Sequence, residues 1–266
     1  METVGEKLEA LFGVFEILHY FCSVILKQDA TISLKMKKYI ILAALVLLPL
    51  FAGAQNNSAR RRNQSLCPDS NHPHAIDLGL PSGTKWACCN VGGSKPEDYG
   101  GCYAWGETST KSTYDWKTYR WCNGDYNKLT KYNGTASYGI VDNKMQLEPD
   151  DDVAHANWRG SWRMPTITEL EELKGNCSFK WITLYGVNGA LFTSHSNGRS
   201  IFLPAAGRFK DSSLLCRGKD CGYWSSSLHG AYPFRAHFLY FSLRGVQTGN
   251  NCRYEGLCVR PVQIGL

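Results

Sequence analysis

The stretch from Asn157 to Asn176, NWRGSWRMPTITELEELKGN, constrains the fold of this chain more than any other. Pro165 ends whatever precedes it, because the residue before a proline is pushed toward an extended backbone. Thr166 then stands where a helix N-cap belongs, and Glu169 follows three residues later, so the two predict a capping box. Leu170 and Leu173 give the short helix an apolar stripe, Ile167 extends it backward, and Gly175-Asn176 is a stop signal. Upstream, Trp158 and Trp162 lie four apart around an Arg-Gly and a Ser and read as core anchors.

The start of the chain has to be set aside before the fold is argued. Met36-Lys37-Lys38 is a basic n-region, Tyr39 to Phe51 an apolar h-region and Ala52-Gly53-Ala54 a small-residue cleavage site, which predicts a secretory signal peptide over 36–54. The apolar run is too short for a comfortable membrane span. Gln55, not Cys, follows the cleavage site, so the expected product is secreted, periplasmic or displayed on the cell surface without a lipid anchor. Residues 1–35 hold a semi-apolar run, Leu8 to Leu26, broken by Glu9, Glu16 and His19. It reads either as an extra membrane segment or, more plainly, as an upstream extension ahead of a true start at Met36. Residues 55–73 are polar, without an apolar period, and read as a linker; the domain occupies 74–263.

The first 54 residues hold five Lys and five acidic residues, so the mature part keeps the net charge of +6. Arg60-Arg61-Arg62 is the only basic run and lies in the linker. No basic stripe interleaved with aromatics appears elsewhere, which argues against nucleic acid as a partner. Ten of the 11 cysteines follow Ala54: Cys67, Cys88, Cys89, Cys102, Cys122, Cys177, Cys216, Cys221, Cys252 and Cys258. An exported chain meets an oxidising compartment, so some disulfides are expected, with no connectivity readable from spacing. Zinc is the weaker expectation, since there is no CxxC and the Cys216–Cys221 pair lacks histidines at ligand spacing. The adjacent Cys88 and Cys89 face opposite ways if they lie on a strand.

Along the domain, Ala75 to Leu80 and Thr84 to Val91 predict two strands joined by the turn Pro81-Ser82-Gly83, with Trp86 inside the second. Ser94 and Glu97 hint at one capped helical turn. Ser109 to Gly139, with Tyr114, Trp116, Tyr119, Trp121, Tyr126 and Tyr132, lacks helical periodicity. It reads as a long loop packed by its own aromatics or as a set of short strands. Its aromatics could stack on sugars or pin the loop onto the core. The cluster Glu148, Asp150, Asp151 and Asp152 could hold Ca²⁺. The plainer reading is that these acids start a helix over Asp151 to Ala156. Strands are expected at Ser178 to Trp181, Gly186 to Thr193, Ser200 to Gly207, from Gly222, at Ala236 to Leu243 and at Gly256 to Val262.

These motifs carry a family resemblance. Trp162 to Thr166 with Glu169 to Leu173 resembles the "RLPTEAEWE" signature of formylglycine-generating-enzyme-like domains, a branch of the C-type-lectin-like fold. The chain is more similar still to the Fibrobacter succinogenes major paralogous domain, a family common in gut Bacteroidetes. HAIDLGLPSGTKWACCNVG resembles that domain's opening hairpin almost residue for residue. YAWGET, IFLPAAG, GYWSSS and RYEGLCVRPV match in order, so the resemblance covers about His74 to Val262. It implies an α+β, C-type-lectin-like domain of twisted antiparallel strands with one or two short helices and long loops. Trp86, Trp105, Trp158, Trp162, Pro165 and Trp224 would be its structural anchors, with the chain ends meeting at the first hairpin and the last strand.

Chemistry has little purchase here. Ser225-Ser226-Ser227 lacks a nucleophile elbow and reads as a hydroxyl ladder on a strand. His155, His195, His229 and His237 form no ligand spacing. The related oxidases use a copper-binding Cys-x₄-Cys pair, and Cys216 and Cys221 have that spacing. They precede Tyr223-Trp224, whereas the oxidase pair follows the equivalent segment, so the resemblance carries over the scaffold and not the copper site. The expected function is non-enzymatic, lectin-like or adhesin-like recognition of a glycan or protein outside the cell. The candidate ligand residues are His229, Tyr232, Phe234, Arg235, His237, Phe238 and Tyr240, joined by Asn250, Arg253, Tyr254 and Glu255 if the last strands pair. Two alternatives stand beside this one. One is a copper-dependent oxidase. The other is a variable protein whose C-terminal half, including Cys216, Cys221, Cys252 and Cys258, is diversified by a retroelement.

Overall fold

Trp86 lies at the centre of the strand that joins the two ends of the domain. In the computed structural model, which describes Asn71–Ile264, β1 (Ala75–Asp77) and β11 (Val262–Ile264) flank β2 (Thr84–Ala87). Trp86 pairs with Ile76 on one side and Val262 on the other, both antiparallel. The expectation that the chain ends meet here holds. Both hairpin strands are shorter than their apolar pattern predicts. Leu78 leaves the ladder because the Ser194 hydroxyl donates to its carbonyl at 2.5 Å, and Asn90 turns its amide to Tyr99 and Tyr223. The turn between them is closed by Gly83 N–H donating to Leu80 O at 2.9 Å. The expected signal peptide (36–54), the extension before it, almost all of the linker and Cys67 lie outside the described residues.

Helix α1 (Val153–Trp158) begins two residues later than the acidic run predicts. Pro149–Asp151 forms a 3₁₀ turn first, and Asp152 is the N-cap, accepting from Ala154 N and His155 N. Helix α2 (Ile167–Asn176) carries the predicted capping box. Thr166 Oγ1 accepts from Glu169 N at 3.2 Å and Glu169 Oε2 accepts from Thr166 N at 2.8 Å. The helix ends at Asn176, where the Gly175-Asn176 signal predicts a stop. Asn176 satisfies Glu172 O with its own side chain, and the backbone turns extended at Cys177 with no loop between. Between the first hairpin and these helices, Ser94 and Glu97 form no helical turn. Asp98 instead accepts from Ser94 N and closes a tight loop.

Two further sheets build the body. One is β3 (Cys177–Leu184), β4 (Val187–Ser194) and β5 (Ser200–Pro204); the other is β8 (Asp220–Leu228), β9 (Arg235–Ser242) and β10 (Gly245–Cys252), with β9 in the middle. A small hairpin, β6 (Arg208–Lys210) with β7 (Ser213–Leu215), lies between them in sequence. All pairings between these strands are antiparallel. Strand β10 is missing from the sequence reading because GVQTGNNC has no apolar alternation; as the edge partner of β9 it is held by backbone pairing. The strand expected at Gly256 to Val262 is mostly isolated bridges, Leu257 to Tyr103 and Cys258 to Tyr223.

The β8–β9 ribbon is buried on both faces. Cys221, Tyr223, Leu239 and Phe241 join a core with Trp86, Leu170, Leu173, Phe192 and Leu203. Trp224, Leu228 and Ala236 join a second with Trp105, Tyr132, Val153 and Val259. This is the period of two at work: alternate side chains of one strand feed different cores. Trp86, Trp105 and Trp224 are fully buried, and Trp158, half-buried, packs against both cores. Pro165 is buried, and its carbonyl receives Ser226 N at 2.7 Å. The loop from Ser109 to Gly139 is packed by its own aromatics, with Tyr114, Tyr119, Cys122 and Leu129 forming a third cluster. Its one regular element is a 3₁₀ turn at Ala136–Tyr138. Gly139, at φ +124°, lies so close against the Leu129 backbone that a Cβ would clash.

Arg253 and Arg260 are the unusual core members. Arg260 donates to Asn90 Oδ1, Ala87 O and Phe202 O at 2.8, 3.0 and 2.7 Å. Arg253 donates to Tyr119 Oη, Tyr132 O, Pro233 O and Lys131 O, with its guanidinium 4.9 Å from the Trp105 ring centre. Nine cysteines fall among the described residues, and no two of them lie at disulfide distance, so the expected bridges are not formed among these residues. The Cys102 and Cys258 sulfurs approach to 3.8 Å without a bond. No helix among the described residues is long and apolar enough to cross a membrane.

Candidate functional site

The connection between β8 and β9 is short and internally tied. His229 N donates to Arg235 O, Arg235 N to Tyr232 O, and Tyr232 N to His229 Nδ1 at 3.1 Å. These bonds hold the loop's aromatic side chains in a row on the surface. His229 stacks on His237 with ring centres 5.1 Å apart and on Tyr232 at 5.2 Å; Tyr232 meets Phe234 at 5.8 Å. Phe234 continues the row to Tyr126 and Tyr138, each at 5.4 Å. Tyr126 and Tyr232 are 45% and 50% exposed, while Phe234 and Tyr138 are half-buried against the third cluster, so the row is a surface seated on the core.

Polar groups border it. Arg235 donates from Nη1 to Asn250 Oδ1 at 2.9 Å across the β9–β10 pair, and its guanidinium lies 5.8 Å from the Phe234 ring. Burial, then the neighbouring His237 and Arg235 charges, hold the His229 pKa below its ordinary value. Its ring is therefore a neutral, hydrogen-bonding platform at neutral pH. Met145 borders the row beside Gly230, since the strand-like segment before the acidic cluster runs along β8 through Leu228 N donating to Met145 O.

Of the residues singled out from sequence, the structure thus gathers His229, Tyr232, Phe234, Arg235, His237 and Asn250. It separates the others. Arg253 lies inside the core. Glu255 is buried, accepting from Asn251 Nδ2 at 2.6 Å and facing Arg208. Tyr254 packs edge-on against Trp116. Phe238 packs on Trp224. Tyr240 lines a separate cleft of about 350 Å³ with Ser242, Arg244 and Gln247 on the β9–β10 hairpin. Tyr126, one of the loop aromatics read as able to stack on sugars, and Tyr138, which that reading did not single out, join the face from a loop about 100 residues upstream.

The acidic residues have occupations of their own. Glu148 and Asp151 both take the Lys131 ammonium at 2.5 Å, Glu148 also takes Lys144, and Tyr132 Oη donates to Asp151. Asp152 spends one oxygen on the α1 N-cap and the other on Met164 N at 2.7 Å. Asp150 is exposed. The helix-start role is therefore visible, and Glu148, Asp151 and Asp152 are turned toward protein donors. Beside them Trp162, His155, Arg163 and Gln146 line a second hollow of about 420 Å³.

Ser225, Ser226 and Ser227 serve the scaffold: their hydroxyls bond His237 O, Pro165 O and Ile167 N. Cys216 is exposed at a left-handed turn, whereas Cys221 is buried with its thiol 3.4 Å from Gly207 O. The sequence reading sets Cys88 beside Cys89 and does not connect it to a histidine. Cys88 Sγ lies 3.1 Å from His72 Nδ1 and 3.7 Å from His74 Nδ1. The Cys89 hydrogen bond, working against burial, and then those of His72 and His74 lower the Cys88 pKa to about 4. The His-x-His spacing of 72 and 74 was the available signal. Comparison of the chain with protein-family models, curated proteins and solved structures gives no match.

Proposed function

We propose that the chain is an exported recognition module that binds a carbohydrate through the ring row Tyr126, Tyr138, Phe234, Tyr232, His229 and His237. The observation that carries this reading is the row itself: six rings in contact, two of them tyrosines about half exposed, bordered by Arg235 and Asn250. Aromatic faces offer a sugar's C–H surface rigid apolar area at low entropic cost, and the flanking donors and acceptors would meet its hydroxyls. Hydrogen bonds within the loop keep the platform formed before a ligand arrives, which lowers the cost of binding.

The C-type-lectin-like architecture of the Fibrobacter succinogenes major paralogous type belongs to the same proposal. Its support is the chain-end pairing of β2 with β11, the capping box of α2 and a central ribbon with a core on each face. Export rests on the 36–54 pattern. A copper oxidase built on Cys216 and Cys221 gains no support from one exposed and one buried thiol. The test is a glycan array probed with the labelled protein. Saturable binding to a defined saccharide family, lost in Tyr232→Ala, is expected; an array without signal, alongside capture of a specific protein through the same face, would overturn the carbohydrate reading.

A further inference from the structure

We propose that His72, His74 and Cys88 form a binding site for a zinc-type transition-metal dication, with three protein ligands and a fourth position open to solvent. The site uses no residue of the aromatic face and does not depend on the carbohydrate reading.

The fold brings the three together by simple means. His72 and His74 are two residues apart on chain leading into a strand, and a period of two can place both on one side. The β1–β2 ladder continues one step beyond its last paired residue, with Cys88 N donating to His74 O at 3.0 Å and His74 N pointing at Cys88 Sγ at 3.1 Å. That step sets the thiol against the two imidazoles. The rings stand edge to face, 5.1 Å apart, and the ligand atoms all lie within 4.8 Å of one another.

The spacing is that of a coordination sphere. With Zn–S near 2.3 Å and Zn–N near 2.0 Å, tetrahedral geometry places sulfur and nitrogen about 3.6 Å apart. The observed separations, 3.1 and 3.7 Å, bracket that value, so a cation needs only small side-chain rotations. A thiolate with two imidazoles is a donor set for zinc, copper or cobalt, whereas calcium and magnesium require oxygen. Cys88 is buried and both histidines are half-buried, which leaves one side of the cluster toward solvent. A bound ion would fasten the segment before β1 onto β2. The competing fate of Cys88 is a bridge to Cys89, the adjacent sulfur that hydrogen-bonds to it.

The experiment uses the full chain, stripped of metal by a chelator under reducing conditions and titrated with Co²⁺, then Zn²⁺. One equivalent of Co²⁺ is expected to give a thiolate-to-cobalt charge-transfer band and intense tetrahedral d–d bands, both erased by Zn²⁺. Cys88→Ser should abolish the charge-transfer band. His72→Gln, outside every strand and only half-buried, should keep the circular dichroism and weaken Co²⁺ binding roughly 100-fold or more, beyond the usual loss for an outer-shell partner. Cys216→Ser should leave the titration unchanged. The proposal is overturned by the absence of a charge-transfer band in the reduced protein, by a band that survives Cys88→Ser, or by unaltered affinity in His72→Gln. It is equally overturned if the protein isolates with a Cys88–Cys89 disulfide and takes up no metal after reduction.

Discussion

Replacing Glu169 should unfasten the start of α2 from both ends of the chain. Its side chain is 10% exposed and accepts three bonds, two from Arg163 and one from Thr84, besides its part in the cap. Arg163 clamps it with two bonds of 2.8 and 2.6 Å, Thr84 Oγ1 donates from β2 at 2.8 Å, and Thr166 N donates at 2.8 Å. Arg163 in turn exchanges backbone bonds with Val262 of β11. Glu169→Ala leaves the guanidinium and the buried Thr84 hydroxyl without this partner. Breaking a buried pair costs about 3–5 kcal/mol; since Arg163 is 27% exposed and recovers water, the lower figure of about 3 kcal/mol applies. Glu169→Gln keeps the shape and one acceptor and loses the charge, which costs about 1–2 kcal/mol. At roughly 2–4 °C per kcal/mol, the alanine variant should melt about 6–12 °C lower.

The pH dependence gives a second check. Burial alone would raise the Glu169 carboxyl, but the Arg163, Thr166 and Thr84 bonds outweigh it and hold the pKa below its ordinary value. The unfolded chain therefore binds more protons in the acid range. The stabilisation is complete above the unfolded pKa of about 4.3 and is lost as pH falls through the lower folded value. The stability gap between wild type and Glu169→Gln should close over that window in denaturant titrations followed by tryptophan fluorescence. Both variants lying within about 0.5 kcal/mol of wild type, the usual range for surface changes, would refute this account of the helix start.

Other outcomes are expected. Arg253→Ala should destabilise by about 3 kcal/mol or more in the same denaturant assay, because it leaves the carbonyls of Lys131, Tyr132 and Pro233 without this donor, takes one bond from the buried Tyr119 hydroxyl and opens a cavity. Tyr232→Ala, on an exposed ring, should change stability by less than about 0.5 kcal/mol while removing saccharide binding, measured by melting and by array signal. Alkylation of the reduced protein should label the exposed Cys216 well before Cys102 and Cys258. The hydrogen bond to Cys258 and then burial push the Cys102 pKa up; at Cys258 the Cys102 bond pulls the pKa down, but the Cys221 bond and burial outweigh it and push it up. Peptide mapping against time reads that order.

The parts of the fold that were legible in the sequence are those whose chemistry is local. The Thr166–Glu169 box, the Pro165 break and the Pro-Ser-Gly turn each declare themselves within four residues. Strand β10 does not, because an edge strand of Gly, Asn, Thr and Gln is specified by its partner. The site divides the same way. His229, Tyr232, Phe234 and Arg235 were readable as one loop, and Tyr126 as a loop aromatic that could meet a sugar, but that Tyr126 and Tyr138 join the same face is set by tertiary packing. Arg253 looked like a surface contact since arginines are rarely fully buried; its burial is made possible by carbonyls from the chain around Lys131, Tyr132 and Pro233. The His72 and His74 pair was visible, but its partner Cys88 arrives through the hairpin.

Hydrogen exchange of the protein with a bound saccharide tests the central claim most directly. The account predicts protection on ligand addition in the segments carrying Tyr126 to Tyr138, His229 to His237 and Asn250, with little change around Trp162 and His155. Protection confined to the Trp162 hollow or to the Tyr240 cleft, with the ring row unaffected, would contradict it.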